Sequence, residues 1–163
     1  MKILMTADTV GGVWTYSLEL IQALAEHGVE VELATMGALP TPEQRTQLDD
    51  IKNVRLHSSE FKLEWMEDPW EDVECAGKWL LRLEEKLQPD IVVLTGDMTD
   101  GMVTQLSAQL APLAQLKGKY GQFFVTGNHE YYTDTPENWL AHWAQLGFTT
   151  LQNQHQVLSI NGA

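Results

Sequence analysis

The stretch PDIVVLTGDMTDG, residues 89–101, decides the fold. Pro89 ends the helical pattern before it, because proline has no backbone N–H and its ring clashes with the preceding turn. Residues 91–95 form an uninterrupted apolar and β-branched run. Such a run is typical of a central parallel strand that helices cover on both faces.

Outward from this strand, predicted strands and helices alternate along the chain. Strands are predicted at 2–6, 29–35, 53–57, 91–95 and 122–126, with two short extended segments after residue 148. Helices are predicted at 16–24, from 41, at 68–87, around 106–113 with a break at Pro112, and at 135–146. The fold class is therefore α/β, a single Rossmann-like three-layer α/β/α domain with a mostly parallel sheet of about six strands. The expected strand order is 3-2-1-4-5, with a last strand or hairpin at the far edge.

Two local patterns refine this prediction. Thr41, Pro42 and Gln44 have the spacing of an N-cap, a first-turn proline and a capping box. Residues 29–35 alternate apolar side chains with glutamate, which predicts a half-exposed strand near a sheet edge.

Length, net charge and cysteine content exclude or disfavour several classes of partner and site. A length of 163 residues suits one domain, and a formal charge of −13 disfavours partners such as nucleic acid and anionic membranes. Cys75 is the single cysteine, so an intrachain disulfide and a thiolate metal cluster are both excluded. The N-terminal residues lack the pattern of a signal peptide, and no window resembles a membrane span, so a soluble, cytoplasmic protein is expected.

The first half of the chain carries one resemblance. MKILMTADTVGGVWTYSLELIQALAEHGVEVELATMG, residues 1–37, and KLEWMEDPWEDVECAGKWLLRLEEKLQPDIV, residues 62–92, resemble the N-terminal domain of a glycogen-synthase-like GT-B glycosyltransferase of family 4. That resemblance places Gly11 and Gly12 at a ligand cleft, where they would bind a phosphate or a sugar nucleotide. Glycines let a backbone approach a ligand closely, and a helix N-terminus attracts anions, although two glycines also make a simple tight turn.

The second half resembles a different family. PDIVVLTGDMTDG, LAPLAQLKGKYGQFFVTGNHEYY at 110–132 and WLAHWAQLGFTTLQNQHQVL at 139–158 are similar to a calcineurin-like metallophosphoesterase of the membrane-associated bacterial type. The resemblance implies that Asp97 bridges two metal ions, that Asn128 binds one of them, and that His129 assists the leaving group as a catalytic residue.

Neither pattern is complete within residues 1–163. The first-strand Asp-x-His of the phosphoesterases is replaced by Asp8-Thr9-Val10, and the later His and Gly-His-x-His motifs do not occur. The donor-binding domain of the glycosyltransferases does not occur either. The two resemblances meet near residues 89–92, which suggests a recombined or engineered chimera: one hybrid domain over 1–163, glycosyltransferase-like at 1–92 and metallophosphoesterase-like at 89–163.

Topology brings the surviving residues together. The first strand and the 91–95 strand would be neighbours at the switch point of the sheet, so Asp8, Asp97 and Asn128 would converge there, with the Gly11–Gly12 turn beside them. Three oxygen donors suit one weakly bound hard cation, Mg²⁺ or Mn²⁺, with water completing its coordination.

Three functions are compatible with this sequence. The first is a hybrid domain without complete catalytic activity, which makes an enzyme the less favoured interpretation. The second is a weak metal-dependent phosphoesterase, or a binder of a metal and a small phosphorylated ligand, that uses GDMTD and GNHE. The third is sugar-nucleotide binding through Gly11 and Gly12. The oligomeric state stays open.

Overall fold

The fold is built around a parallel sheet. The computed structural model of the chain describes residues 1–10, 12–63, 66–98, 101–132 and 135–160. Within these residues the elements are β1 (Lys2–Asp8), α1 (Gly12–Ala25), β2 (Glu30–Met36), α2 (Pro42–Asp49), β3 (Val54–Ser58), α3 (Trp70–Leu87), β4 (Ile91–Leu94), α4 (Val103–Leu110), β5 (Gln122–Phe124), α5 (Pro136–Gln145) and β6 (Thr149–Thr150).

The strand order confirms the predicted topology. The described strands form one sheet in the order β3-β2-β1-β4-β5-β6, and every neighbouring pair is parallel. The chain leaves β1 towards β2 on one side and later continues from β4 towards β5 on the other side. The switch point therefore lies between β1 and β4, as expected for a doubly wound sheet.

Helices cover both faces of the sheet. On one face, α3, α4 and α5 pack on residues such as Leu4, Val92 and Phe124. On the other face, α1 and α2 pack on alternate strand residues such as Ile3 and Leu33. Both clusters combine residues from before and after position 92, so the two predicted segments share their hydrophobic cores. The three-layer α/β/α fold is confirmed.

Several local predictions are also confirmed. The Thr41 hydroxyl accepts the Gln44 N–H over 3.2 Å, and the Gln44 side chain accepts the Thr41 N–H over 2.9 Å, which completes the capping box. At Pro112 the α-helix gives way to a 3₁₀ segment, Ala111–Gln115. Separately from these predictions, Trp139 and Trp143 of α5 are fully buried in the core.

One strand prediction is wrong. β2 is predicted to be half exposed near a sheet edge. It does lie next to the edge strand β3, but six of its seven residues are buried. Glu32 is 1% exposed because its carboxylate pairs with His57 Nε2 at 2.7 Å and Arg55 at 3.4 Å on the neighbouring β3. A cross-strand pair thus lets a charged residue occupy an interior strand.

Candidate functional site

A polar cleft opens at the carboxyl ends of β1, β4 and β5. It has a volume of about 440 Å³ and is lined by residues that include Asp8, Gly12, Thr95, Asp97, Asn128 and His129. The connections after β1 and β4 run in opposite directions, and crevices of this kind are the usual ligand sites of open parallel sheets. We call this site the polar cleft.

Asp8 is the last residue of β1 and is only partly exposed. Its Oδ1 accepts the Val10 N–H over 2.9 Å. Burial raises the pKa of the Asp8 carboxyl, and the negative charge of Asp97 raises it further, although the Val10 hydrogen bond and His129 act in the opposite direction. The negative charges of Asp8 and Asp97 therefore interact across the cleft.

Asp97 follows β4 in a left-handed backbone conformation, with φ at +52°. Asp and Asn tolerate this conformation better than other residues that carry a side chain. The Asp97 Oδ1 accepts the His129 N–H over 2.9 Å, so the carboxylate ties the loop after β4 to the loop after β5. The close approach of the two loops depends on Gly127, since a Cβ there would lie 2.2 Å from Asp97 Oδ1.

Asn128 faces the same carboxylate. One atom of its amide lies 3.1 Å from Asp97 Oδ2 and 3.2 Å from Oδ1, and the other lies 2.7 Å from the Tyr132 hydroxyl. If the amide nitrogen faces Asp97, it donates to the carboxylate. If the oxygen faces Asp97 and the nitrogen donates to Tyr132, the oxygens repel each other unless a cation lies near them. The protein-only network favours the first orientation, and a bound cation would favour the second.

Glu130 was not predicted as a site residue, although it belongs to the GNHE motif. It is fully buried and accepts three backbone N–H groups: Asp97 at 3.1 Å, Met98 at 3.0 Å and Gly127 at 2.7 Å. Burial raises the pKa of its carboxyl, and the three N–H donors oppose that shift. Glu130 thus fixes the loops that carry Asp97 and Asn128.

The remaining predicted residues lie as follows. The His129 side chain is half-buried at the cleft, with its ring centroid 5.3 Å from that of Tyr132. Gly12 begins α1 and lines the cleft. Gly11 lies outside the described residues, as do Thr99 and Asp100 of the GDMTD motif. The predicted binding role of Gly11 and Gly12 stays a prediction.

The oxygen donors at the cleft suit a single hard cation better than a two-metal centre. Among the described residues, no group of three or more His, Cys, Asp or Glu side chains is placed to hold a metal. Asp8 and Asp97 offer two carboxylates, and Asn128 offers a third oxygen. These residues fit one hard cation that keeps several waters, and they do not provide the imidazoles of a two-metal centre.

Comparisons with known proteins extend these observations. A model of the calcineurin-like phosphoesterase family matches residues 1–162. A bovine (Bos taurus) "transmembrane protein with metallophosphoesterase domain" is 41% identical over 83 residues, which make up 51% of this chain and 19% of that protein. The chain thus spans about a fifth of that relative.

Solved structures of other proteins have a fold similar to that of this chain. Phytolacca americana UGT2, complexed with UDP-2fluoro-glucose and pterostilbene, has a TM-score of 0.51 and 15% identity over 90% of this chain and 34% of its own. The glycosyltransferase SnogD from Streptomyces nogalater has a TM-score of 0.48 and 16% identity over 94% of this chain and 43% of its own. At this identity the likeness concerns the fold alone.

The sequence predicts a chimeric join near residues 89–92 and a cytoplasmic location. A single family model runs across residues 89–92, so the comparisons do not support a join between two unrelated proteins there. No helix formed by the described residues has the length and apolarity needed to cross a membrane. The cytoplasmic location stays a prediction.

Proposed function

The chain belongs to the calcineurin-like phosphoesterase family, and from this premise we propose that it is a divalent-cation-dependent phosphoesterase of low turnover. Its substrate is a small phosphate ester bound in the polar cleft. The cation is a single Mn²⁺ or Mg²⁺ that oxygens of Asp8, Asp97 and Asn128 would hold.

One observation carries this proposal: two carboxylates and an amide meet at the switch point of the sheet. Burial raises the pKa of the Asp8 carboxyl, the charge of Asp97 adds to that rise, and the amide of Asn128 lies 3.1 Å from Asp97. The Asp8 and Asp97 carboxylates repel each other, and a bound cation would relieve that repulsion. The same cluster leaves the face towards the cleft open to a ligand.

The chemistry follows from the charges in the cleft. A divalent cation bound there would neutralise the carboxylates and polarise the phosphoryl oxygens of the ester. The His129 imidazole lines the cleft and is the side-chain type best suited to give a proton to a leaving oxygen near neutral pH. Gly12 lets phosphate oxygens approach the N-terminus of α1, where backbone N–H groups favour an anion.

Low turnover is expected for a structural reason. Val10 occupies the place of the imidazole in the Asp-x-His pattern, so fewer ligands than the family pattern requires are present in residues 1–163. In a two-metal site the two cations together stabilise the attacking oxygen and the leaving oxygen of an in-line displacement. A single cation would stabilise only one of these oxygens.

Phosphate binding should depend on the cation. The chain has a net charge of −13, and Asp8 and Asp97 add local repulsion to an anionic ligand. We expect phosphate affinity to be weak without a divalent ion and to rise once the ion is present.

The experiment titrates Mn²⁺ into the protein by calorimetry and measures p-nitrophenyl phosphate hydrolysis in the same buffer. Asp97→Asn is the sharpest variant, because Asn keeps an oxygen that accepts the His129 N–H and tolerates the left-handed conformation. Asp50→Asn, at an exposed position far from the cleft in sequence, is the matched control.

The wild type and Asp50→Asn should give the same saturable Mn²⁺ isotherm and a slow Mn²⁺-dependent release of p-nitrophenol. Asp97→Asn should lose about tenfold or more in Mn²⁺ affinity, which is about 1.4 kcal/mol, because the half-buried Asp97 supplies one of the two carboxylate charges proposed to hold the cation. Identical featureless isotherms in all three proteins would reject the cation site.

A further inference from the structure

A second, apolar cavity adjoins the polar cleft. It has a volume of about 110 Å³ and lies beneath α3 and α4. Its wall includes Met36, Leu63, Trp70, Leu80, Leu106 and Leu110. We call it the apolar cavity.

The two spaces are continuous. Asp8, Thr95, Asp97 and His129 line both of them, together with Val13. A ligand whose phosphate contacts the cleft would therefore have the rest of its structure within reach of the apolar wall.

The apolar wall favours binding of an apolar group over binding of a polar one. Leu80, Leu106 and Leu110 are at most 6% exposed. Of the polar side chains at the cavity, Lys62 already donates to the Glu67 carbonyl over 2.8 Å. The Gln109 amide, once its nitrogen faces α4, donates to carbonyls of that helix. Away from the end that the cavity shares with the polar cleft, a hydroxyl-rich group would lose hydration without gaining equivalent partners.

The volume limits the size of the occupant. An engineered apolar cavity of about 150 Å³ in another protein stays dry and binds benzene. The cavity here, at about 110 Å³, is somewhat smaller. Its occupant can therefore be no larger than a short alkyl chain or a single aromatic ring.

We propose that the apolar cavity binds the alkyl or aryl group of the phosphate ester, so that the chain selects esters of small apolar alcohols. The position of the phosphate rests on the proposed function above. The selectivity itself rests on the apolar cavity.

Gly77 provides a clean test. It lies on α3 at the wall of the cavity, and a Cβ added there would meet no atom within 4 Å. Gly77→Leu would fill the cavity and also replace glycine by a better helix former, so a loss of fold is not expected. Glu85→Leu, at an exposed position of the same helix, is the control. Gly77→Ala is a second variant should Gly77→Leu not fold.

The probes are methylphosphonate, n-butylphosphonate and phenylphosphonate, which resist hydrolysis, titrated by calorimetry with Mn²⁺ present. The wild type and Glu85→Leu should bind phenylphosphonate at least about tenfold more tightly than methylphosphonate, from burial of the ring. Gly77→Leu should reduce that ratio to near one. Comparison of the butyl and phenyl compounds separates an alkyl from an aryl preference. Equal affinities for the methyl, butyl and phenyl compounds in the wild type would overturn the proposal.

A separate probe distinguishes the two proposals. If no phosphonate binds, the proposed function fails, and fluorobenzene without metal then examines the cavity alone by fluorine NMR. Saturable fluorobenzene binding that Gly77→Leu abolishes supports the cavity as an apolar-ligand site. Absence of fluorobenzene binding to the wild type overturns it.

Discussion

Replacement of Gly96 by alanine should destabilise the fold at the site itself. Gly96 has φ at +85° and lies between β4 and Asp97. A Cβ added to Gly96 would lie 2.0 Å from the Gly127 nitrogen and 2.6 Å from its Cα. Both contacts involve backbone atoms, so a side-chain rotation cannot relieve them.

The expected loss has two parts. A left-handed conformation costs a residue with a side chain about 1–2 kcal/mol. The overlap forces the loops after β4 and β5 apart, and overpacking of this kind typically costs about 1–3 kcal/mol. We therefore expect Gly96→Ala to lower the free energy of unfolding by about 2–5 kcal/mol.

Gly28→Ala is the matched control. Gly28 also has a positive φ, +66°, but a Cβ there would meet no atom within 4 Å. This variant should show the conformational cost alone, about 1–2 kcal/mol. Urea unfolding of both variants, with equal m-values, measures the difference. Equal losses in Gly96→Ala and Gly28→Ala would refute the close packing of the two loops.

Three further predictions concern two buried side chains, Glu130 and His142, and the N-cap residue Thr41. Glu130→Gln should lower the free energy of unfolding by about 2–4 kcal/mol, because an amide nitrogen would face backbone N–H donors, and a thermal melt measures this loss. Burial lowers the pKa of His142, whose Nε2 has no hydrogen-bond partner among the described residues. The unfolded chain therefore binds a proton first as the pH falls through about 6.5, and stability should decline from there down to the lower folded pKa. His142→Gln should reduce this decline in urea melts between pH 7 and pH 5, whereas the exposed control His155→Gln should not. Thr41→Ala should cost about 1 kcal/mol through loss of the N-cap, and Thr46→Ala within the same helix should cost less, as measured by urea unfolding.

Patterns that depend on nearby residues were predictable from the sequence. The apolar run before Gly96 identifies an interior strand, and the spacing of Thr41 and Gln44 identifies a helix start. Asp97 and Asn128 follow apolar strands, so parallel topology alone places them at one edge of the sheet.

Patterns that depend on distant partners were not predictable in the same way. Glu32 is buried because His57 and Arg55, more than twenty residues away, pair with it across β2 and β3. Glu130 binds backbone N–H groups of residues about thirty positions earlier, and no local spacing reveals those donors. A carboxylate that follows Gly-Asn-His is compatible with an exposed loop, and only the packing of two loops explains its burial.

The likeness to two fold families has a related physical origin. Strands and helices that alternate with short connections form the same layered sheet in unrelated proteins. The resemblance of residues 1–92 to a glycosyltransferase domain therefore reflects a shared architecture. The proposed chemistry depends instead on the side chains at the strand ends, Asp97 and Asn128 among them.

The most direct measurement is anomalous diffraction at the manganese edge from crystals of the chain grown with Mn²⁺. One peak should lie between the carboxylates of Asp8 and Asp97 and the amide oxygen of Asn128, with that amide turned so that its nitrogen donates to Tyr132. A map with no peak in the polar cleft, or with manganese bound only elsewhere, would contradict the proposed cation site.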